Sequence, residues 1–318
     1  MTTEKRKALV TGGAGFLGPH LIRALLGKGW AVAGMDDYST GKRSHIQPFL
    51  ANPDFTACEG SITDAAFVER TMTDVRPDVV YHLAAIHFIP YCIAHPARTI
   101  EVNVLGTQRL LDAIEKAPAD RFVLASTADV YAPSDEPHGE TAPLGSTNIY
   151  GSSKEFCERL LALARQRFPA TRFLAARFFN IYGPGETNPH VLPDIMACLR
   201  TGRVLRLGNI EPKRDYVYVT DVAEALLRLA DYRGACNVFN VATGESRSVR
   251  ELVAVLEKVL AAPITIETDP AKQRPVERQN LLADVARARE ELHWAPRVRL
   301  EEGLAQTLSA DMASNVAP

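Results

Sequence analysis

The segment KALVTGGAGFLG, residues 7–18, carries the strongest indication of the fold. An apolar run leads into glycines at 12, 15 and 18, and an amphipathic segment covers 16–29. Gly12 allows a tight turn with positive φ, Gly15 lets the main chain approach a pyrophosphate, and Gly18 brings helix and strand close. We therefore expect a strand, a phosphate-binding turn and a helix whose N-terminus faces negative charge. A purely structural turn is the alternative, because this glycine spacing by itself is a weak signal.

Predicted strands and helices alternate through the first half of the chain. Further strands are expected at 30–37, 55–60, 77–85, 121–131 and 171–180, and helices at 64–75, 96–116 and 148–168. Such alternation predicts an α/β fold, a Rossmann-type doubly wound parallel sheet with helices on both faces. Because ligands of these sheets bind at the carboxyl ends of the strands, functional residues are expected at 11–18, 36–37, 60–62, 82–87, 125–129 and 178–184.

The pattern changes after NIYGPGETNPH, residues 180–190, where elements become shorter and Pro and Gly more frequent. A smaller α+β lobe is therefore expected to pack against the sheet domain, with residues 214–230 returning to the large sheet. The predicted division is 1–178 plus 215–241 for the Rossmann domain, and 179–214 plus 242–318 for the C-terminal substrate lobe.

The composition argues against several classes of function. The 318 residues carry a formal net charge of −2, which gives no electrostatic basis for a nucleic acid partner. The five cysteines lack C-x-x-C spacing and the eight histidines lack ligand spacing, so neither a disulfide framework nor a metal site is expected. No leader-like or membrane-spanning apolar run is visible, so the expectation is a cytoplasmic protein without a membrane partner.

The second predicted strand ends in MDD, with carboxylates at Asp36 and Asp37. A carboxylate at Asp36 can accept hydrogen bonds from the adenosine ribose hydroxyls and would repel a 2′-phosphate. Together with the glycine turn, this favours NAD over NADP as the cofactor. For Asp37, a solvated turn carboxylate is the slightly favoured interpretation.

Five motifs follow one another along the chain: TGGAGFLG (11–18), HLAA (82–85), YGSSK (150–154), RFFNIYGPG (177–185) and RDYVYVTDVA (214–223). Together they resemble the extended short-chain dehydrogenase/reductase family, in its NAD-dependent nucleotide-sugar epimerase/dehydratase branch. The resemblance covers nearly the whole chain, and it is much less specific for the sugar than for the fold, cofactor and catalytic residues. It implies an enzyme that binds NAD and a nucleotide-diphosphate sugar, and a homodimer formed through helices 96–116 and 148–168.

Tyr150 and Lys154 are spaced i, i+4 near the start of a predicted helix, so they lie on one face. Free tyrosine has a pKa of about 10, and a nearby ammonium together with the positive nicotinamide would favour the phenolate. The resemblance makes this pair catalytic and places Thr127, in STADVYA at 126–132, where the family has its catalytic Ser or Thr. The neighbouring Ser126 is expected to be structural and bonded to the backbone.

The two residues after Thr127 help to distinguish between two reactions that the enzyme could catalyse. Where 4,6-dehydratases of the family have Asp or Ser followed by Glu, this chain has Ala128 and Asp129. Alanine carries no proton and aspartate is one methylene shorter than glutamate, which handicaps removal of the C5 proton. A 4-epimerase needs neither group, because hydride leaves C4 and returns to the opposite face of a turned 4-keto sugar, and Ala128 is expected to leave room for that movement.

We therefore favour a nucleotide-sugar 4-epimerase from the sequence. A 4,6-dehydratase that uses Asp129 as its base is the alternative. A non-catalytic NAD-binding regulator is a third interpretation, because a fold does not fix a function.

The resemblance also implies where the sugar nucleotide binds. Asn180 and Arg214 match family residues that contact the diphosphate, although an ion pair with Asp215 is an alternative for Arg214. RPVE at 274–277 resembles the R-P-x-E of GDP-mannose-type enzymes, which slightly favours GDP over UDP. The expected substrate-binding residues are Thr127, Asn180, Val191, Arg214, Arg274 and Glu277.

Two departures from the family pattern concern the cofactor. Ser61 stands where many relatives have an aspartate for the adenine, and His87 stands where some epimerases have a lysine, although a structural histidine fits there equally well. The expected cofactor-binding residues are Gly12, Gly15, Phe16, Leu17, Gly18, Asp36, Asp37, Ser61, Ile62, Leu83, Ala84, Ala85, His87, Asn103, Tyr150 and Lys154.

Overall fold

The computed structural model describes residues 5–186, 188, 190–269 and 278–314. Within these ranges the strands are β1 (Lys7–Thr11), β2 (Ala31–Asp36), β3 (Phe55–Glu59), β4 (Val79–His82), β5 (Arg121–Thr127), β6 (Arg172–Phe178), β7 (Asn180–Tyr182), β8 (Val204–Leu207), β9 (Lys213–Tyr218), β10 (Val238–Val241), β11 (Ser246–Ser248), β12 (Thr265–Thr268) and β13 (Asn280–Leu281). The helices are α1 (Leu17–Gly27), α2 (Arg43–Ile46), α3 (Ala65–Val75), α4 (Ile89–Ala94), α5 (Pro96–Ile100), α6 (Gly106–Ala113), α7 (Ile149–Arg167), α8 (Val191–Thr201), α9 (Val219–Asp231), α10 (Val249–Leu260), α11 (Ala286–Glu291) and α12 (Leu300–Ser314).

A seven-stranded parallel sheet forms the centre of the described chain, in the order β10-β6-β5-β4-β1-β2-β3. Successive residues of β1 enter different cores, since Val10 packs on one face and Leu9 on the other. The strand order reverses between β1 and β4, which places a ligand crevice at the carboxyl ends of these two strands. The predicted Rossmann-type doubly wound sheet is confirmed.

Helices cover both faces of this sheet. Apolar side chains of α1, α9 and α11 pack on one face, and those of α3, α6 and α7 pack on the other. The helix expected at 96–116 is α5 and α6 joined by a π-helical turn at Glu101–Leu105. No helix among the described ranges is long and apolar enough to span a bilayer.

The strand expected at 121–131 ends earlier, at Thr127. Residues Ala128–Val130 form a 3-10 turn, because the Thr127 hydroxyl oxygen accepts a hydrogen bond from the Asp129 N–H at 3.1 Å. The polar part of STADVYA is therefore a capped turn, and its side chains do not follow the alternation of a strand.

The smaller lobe is built around β9, which pairs with β7, β11 and β13. Strands β8 and β12 form a separate pair, and helices α8, α10 and α12 share a core with these strands. The expected return of 214–230 to the large sheet holds for α9, which packs beside α1, but not for β9. An apolar run such as YVYV indicates a strand without indicating which sheet it joins, and here β10 is the strand that completes the large sheet.

Candidate active site

The glycine-rich turn lies where β1 and β4 meet at the crevice. Gly12 has a φ of 71°, and a Cβ there would come within 2.9 Å of the Ala84 nitrogen. A Cβ at Gly18 would come within 2.6 Å of the Gly13 carbonyl oxygen, so α1 packs closely on the turn as predicted. A Cβ at Gly15 would meet only the Gly12 carbonyl oxygen among the described atoms, at 3.2 Å. The turn is therefore open in front of Gly15, which fits an approaching pyrophosphate.

Asp36 braces this turn from the end of β2. Its carboxylate accepts hydrogen bonds from the N–H groups of Ala14 at 2.9 Å and Tyr38 at 2.8 Å. Burial raises the pKa of Asp36, and these two hydrogen bonds oppose the rise. The Asp36 carboxylate is thus fixed beside the turn, where a ribose of a bound dinucleotide would lie.

Asp37 is exposed and accepts a hydrogen bond from the Ser39 N–H at 3.0 Å. Burial opposes its ionisation, but hydrogen bonds from Ser39 and Ser61 hold its pKa below the usual value. Ser61 also lies 2.9 Å from the Thr63 hydroxyl. The Ser61 hydroxyl therefore bonds within the loop after β3 and lies near enough to Asp37 to influence its pKa.

The other expected cofactor residues lie at the same edge of the sheet, where they contribute mainly main-chain atoms. Phe16 precedes α1, and the Leu17 side chain is buried. Ile62 is buried against Gly106, where a Cβ would come within 2.6 Å of its side chain. Leu83, Ala84 and Ala85 follow β4 directly and are partly exposed.

A buried polar network lies beneath this edge of the large sheet. His82 lies 2.8 Å from the Thr11 hydroxyl and 2.9 Å from the Thr107 hydroxyl. Burial, helped by the charge of Lys154, lowers the pKa of His82 well below its usual value, so the imidazole is neutral. A neutral ring with two hydroxyl partners joins β1 and β4 to α6.

Asn103, in the π-helical turn, is fully buried. Its carboxamide accepts from the Ile86 N–H at 2.8 Å, donates to the Ile86 carbonyl at 2.9 Å and donates to the Ser153 hydroxyl at 2.9 Å. It thus holds the loop after β4 against α7. The sequence indicated a cofactor contact at Asn103. In the structure its side chain instead lies behind the loop that follows β4 and supports that loop.

Tyr150 and Lys154 lie in the first half of α7, as predicted. Asn148 caps this helix by accepting a hydrogen bond from the Gly151 N–H at 2.9 Å. Lys154 is 2% exposed, and burial lowers its pKa against the opposing influence of Cys157 and Glu158. A buried lysine with a lowered pKa is typical of a functional site.

The Tyr150 phenol lies near the Thr127 hydroxyl, so the structure brings the two expected catalytic groups together. Burial raises the pKa of Tyr150 well above its usual value, and the Asp129 carboxylate raises it further. The nearby Thr127 hydroxyl opposes that rise. Before any ligand binds, Tyr150 is therefore the protonated form at neutral pH.

Two expectations for the neighbours of Thr127 need correction. Ser126 is structural, but its hydroxyl donates to the Glu158 carboxylate at 2.5 Å, and that partner is a side chain and not the backbone. Ala128 does not leave room beside a sugar, because it is 1% exposed and belongs to a buried apolar cluster with Val130 and Phe179. The 3-10 turn directs Ala128 inward, which the alternation of a strand did not predict.

Asp129 is partly exposed on the same turn and acts on two charged or titratable groups. It raises the pKa of Tyr150, and it supports the charge of Arg278, whose pKa is lowered by burial. Arg278 also donates to the Tyr131 carbonyl. Arg278 was not among the expected site residues, and its position directly after RPVE was the available signal.

Three of the other expected substrate residues lie on the smaller lobe. Asn180 begins β7 and is partly exposed, and Val191 begins α8. Arg214 donates to the carbonyl groups of Lys213 at 2.8 Å and Arg278 at 2.9 Å. Arg274 and Glu277 lie outside the described residues.

Arg214 and Asp215, both in the described part of the chain, do not form the ion pair that was the alternative for Arg214, because the Asp215 carboxylate has other partners. The Asp215 carboxylate accepts from the Thr243 N–H at 2.8 Å, the Thr243 hydroxyl at 2.6 Å and the Gly244 N–H at 2.8 Å. Adjacent strand residues point to opposite faces, which separates the two side chains.

His87 lies between the two lobes. Its Nε2 is 3.0 Å from the Asn188 side-chain amide, and its ring centroid is 6.0 Å from that of His190. Burial lowers the pKa of His87, and Glu186 opposes this. Within the described ranges, no three His, Cys, Asp or Glu side chains converge as a metal site.

Comparison with known proteins gives consistent relatives. A family model described as GDP-mannose 4,6 dehydratase matches residues 9–307. The chain is 33% identical over 309 residues to a UDP-glucose 4-epimerase of Mycolicibacterium smegmatis, covering 95% of this chain and 97% of that protein. It is 30% identical over 321 residues to UDP-glucuronic acid decarboxylase 1 of Arabidopsis thaliana, covering 96% and 70%.

The fold comparison agrees with the sequence comparison. The crystal structure of UDP-glucose 4-epimerase from Bifidobacterium longum in complex with NAD+ and UDP matches with a TM-score of 0.88 and 26% identity, covering 97% of this chain and 99% of that one. The names of these relatives contain UDP, so they do not support the slight preference for GDP. The chain is an enzyme that belongs to the nucleotide-sugar epimerase/dehydratase branch of the extended short-chain dehydrogenase/reductase family.

Proposed function

We propose that this chain is an NAD-dependent UDP-sugar 4-epimerase. The observation that carries the proposal is that the Thr127 hydroxyl lies near enough to the Tyr150 phenol to affect its pKa, with the buried Lys154 one helical turn away. This set lies at the carboxyl edge of the large sheet, beside the glycine-rich turn. Proton transfer at a sugar hydroxyl next to a bound dinucleotide is the chemistry that such a set supports.

The dinucleotide is NAD in this proposal. The open face at Gly15 suits the pyrophosphate, and Asp36 suits a ribose with free hydroxyls. NAD supplies the hydride acceptor and donor for C4 of the sugar. Lys154 is the residue placed to hold the nicotinamide ribose.

The residues of the chain move the proton. Tyr150 removes the proton of the 4-hydroxyl as a phenolate and later returns it, while the Thr127 hydroxyl donates to the 4-oxygen and fixes its position. Phenolate formation needs nearby positive charge, because burial and Asp129 both raise the pKa of Tyr150. Lys154 is the cation available on the same helix face.

The nucleotide is UDP in this proposal, and the diphosphate contacts are Asn180 and Arg214. Asn180 begins β7 and Arg214 lies in β9, and these two strands pair in the smaller lobe. The guanidinium of Arg214 is held by two main-chain carbonyl groups, which fixes its orientation. The UDP-sugar names of the relatives favour uracil over guanine.

A 4,6-dehydratase remains the second candidate, because the Asp129 carboxylate lies close enough to Tyr150 to affect its pKa. Two features weigh against elimination. Ala128 supplies no acid for the 6-hydroxyl, and the Asp129 carboxylate already interacts electrostatically with the Arg278 guanidinium.

One experiment separates the reactions. The purified protein is incubated in D₂O with NAD and, in turn, UDP-glucose, UDP-N-acetylglucosamine, UDP-glucuronic acid and GDP-mannose, and the products are identified by proton NMR. We expect the C4 epimer of a UDP-sugar with unlabelled C4 and C5, and no product from Tyr150→Phe. A 4-keto-6-deoxy sugar carrying deuterium at C5 would identify a dehydratase, and a pentose product from UDP-glucuronic acid a decarboxylase.

We also propose that the enzyme is a homodimer. Large apolar side chains are exposed on the two long helical segments, including Leu105 at 48%, Phe156 at 52% and Leu163 at 62%. Exposed apolar side chains on two paired helices can form a four-helix interface between copies of the chain.

A further inference from the structure

A buried charged cluster lies beneath the catalytic residues, on the side of the sheet covered by α7. Arg177 donates to both oxygens of the Glu158 carboxylate, from Nε at 2.9 Å and from Nη2 at 2.6 Å. The Ser126 hydroxyl donates to the same carboxylate at 2.5 Å. The side chains of Arg177 and Glu158 are 4% and 10% exposed, so the cluster is shielded from water.

The cluster connects three elements of the active site. Ser126 and Arg177 are direct neighbours in the register of β5 and β6, and Glu158 reaches both of them from α7. Thr127 follows Ser126 directly, and Lys154 precedes Glu158 by one helical turn. Any movement of Glu158 relative to Ser126 would therefore change the separation between Thr127 and the catalytic face of α7.

Arg177 extends the cluster to the far end of the Thr127 turn. Its guanidinium lies 4.7 Å from the centroid of the Tyr131 ring, and its Nη1 donates to the Glu140 carbonyl at 3.1 Å. The turn that carries Asp129 is thus held on both sides, by Ser126 before it and by Tyr131 after it.

Buried ion pairs contribute little net stability, because the cost of removing two charges from water offsets their attraction. Their well-supported effect is to specify one arrangement of the groups around them. We infer that Glu158 is a positioning residue of this active site, which holds α7 against Ser126 and Arg177 so that Tyr150 meets the Thr127 hydroxyl.

Glu158 also has an electrostatic effect on Lys154. The two side chains share a helix face, and the Glu158 charge opposes the lowering of the Lys154 pKa by burial. Removing that charge should let Lys154 lose its proton at lower pH. A purely structural brace would not have this consequence.

The test uses the holoenzyme with NAD and the rate at which reduced nicotinamide appears after mixing with a sugar nucleotide. This half-reaction is common to epimerases, dehydratases and decarboxylases of the family, so the result does not depend on which product follows. The inference rests on the proposed roles of Tyr150 and Lys154, and product analysis of the unmodified enzyme tests those separately.

Glu158→Gln keeps the size of the side chain and removes its charge. We expect the rate to fall between about tenfold and a hundredfold with little change in KM, as for a small misplacement of reacting groups. We also expect the alkaline limb of the pH profile to move to lower pH. Ser126→Ala removes a single hydrogen bond and should lower the rate by less, with the same unchanged KM.

Glu155→Gln is the matched control, since Glu155 lies on the same helix and pairs with the largely exposed Arg159 at 2.7 Å. It should leave the rate and the pH profile unchanged. A folded Glu158→Gln enzyme with an unchanged rate and alkaline limb would overturn the inference. If Glu158→Gln does not fold, Ser126→Ala decides the question, and an unchanged rate in that variant overturns it.

Discussion

The carbonyl carbon of Asp129 lies so close to Gly151 that a Cβ at Gly151 would come within 2.8 Å of it. This approach brings the first turn of α7 onto the 3-10 turn that follows Thr127. Gly151→Ala should therefore push the two apart and lower kcat between about tenfold and a hundredfold, with a smaller effect on KM. Steady-state kinetics of the purified variant measure both constants.

Gly27→Ala is the control for that substitution, because a Cβ at Gly27 meets nothing within 4 Å and the residue closes α1. It should keep full activity and raise the free energy of unfolding by about 0.5–1 kcal/mol. Equal kinetics for the two alanine variants would show that the contact of Gly151 with Asp129 has no role in catalysis.

Asp129→Asn removes a negative charge that raises the pKa of Tyr150. The phenolate becomes easier to form, so the acidic limb of the pH profile of kcat/KM should move to lower pH. The 4-epimerase proposal also requires that this variant keeps epimerase activity. A variant with no turnover at any pH would instead assign Asp129 a proton-transfer role.

Asp36→Asn should weaken NAD binding by about tenfold, equivalent to about 1.4 kcal/mol. Both oxygens of Asp36 accept main-chain N–H groups, so an amide would set a donor against a donor in the glycine turn. Calorimetric titration with NAD measures the change. Asp37→Asn is the control, and an equal loss of affinity there would assign the ribose contact to both carboxylates.

The buried histidines predict a loss of stability in mild acid. Burial lowers the folded-state pKa of His82 below the usual value, so the unfolded chain binds the proton first. As the pH falls below about 6.5, each such group costs up to about 1.4 kcal/mol per pH unit until its folded-state pKa is reached. Urea unfolding at about pH 7.5 and about pH 5.5 measures the difference.

His82→Asn should reduce that difference while lowering stability at both values, because Thr11 and Thr107 lose their shared partner. His293→Asn is the control. His293 is exposed with a φ of 48°, a conformation that asparagine tolerates, so its substitution should leave the pH dependence unchanged. An undiminished pH dependence in His82→Asn would show that other groups carry it.

Phe156→Glu tests the proposed homodimer. A charge in an apolar helix interface should raise the dimer dissociation constant at least about tenfold. Sedimentation velocity over a range of concentrations measures it. Leu50→Glu, at an apolar side chain 58% exposed outside the long helices, should leave association unchanged. A monomeric unmodified protein would refute the proposed dimer directly.

Short-range spacing predicted the parts of the site that lie on one element. The glycine turn and the Tyr150–Lys154 pair depend on residues at most a few positions apart, and the geometry of a turn or a helix fixes such relationships. The parallel sheet could be predicted from the alternation of strands and helices, because the helices have to cover both faces of the sheet.

Long-range partners could not be predicted in this way. The Ser126 hydroxyl bonds to Glu158, 32 positions away, and spacing carries no information about contacts at that range. The inward direction of Ala128 and the approach of Arg278 both depend on a 3-10 turn that a strand-like run of apolar residues conceals.

The path of the chain between the two sheets limits how the enzyme can be divided. The chain leaves the large sheet after β6, builds β7 to β9 in the smaller lobe, returns for α9 and β10, leaves again at β11, and returns once more for α11. A single cut therefore releases no segment that contains one complete sheet and its covering helices. A chimera that exchanges the smaller lobe with that of a relative therefore needs three separate transplanted segments, with matched junctions at both ends of α9–β10 and at both ends of α11.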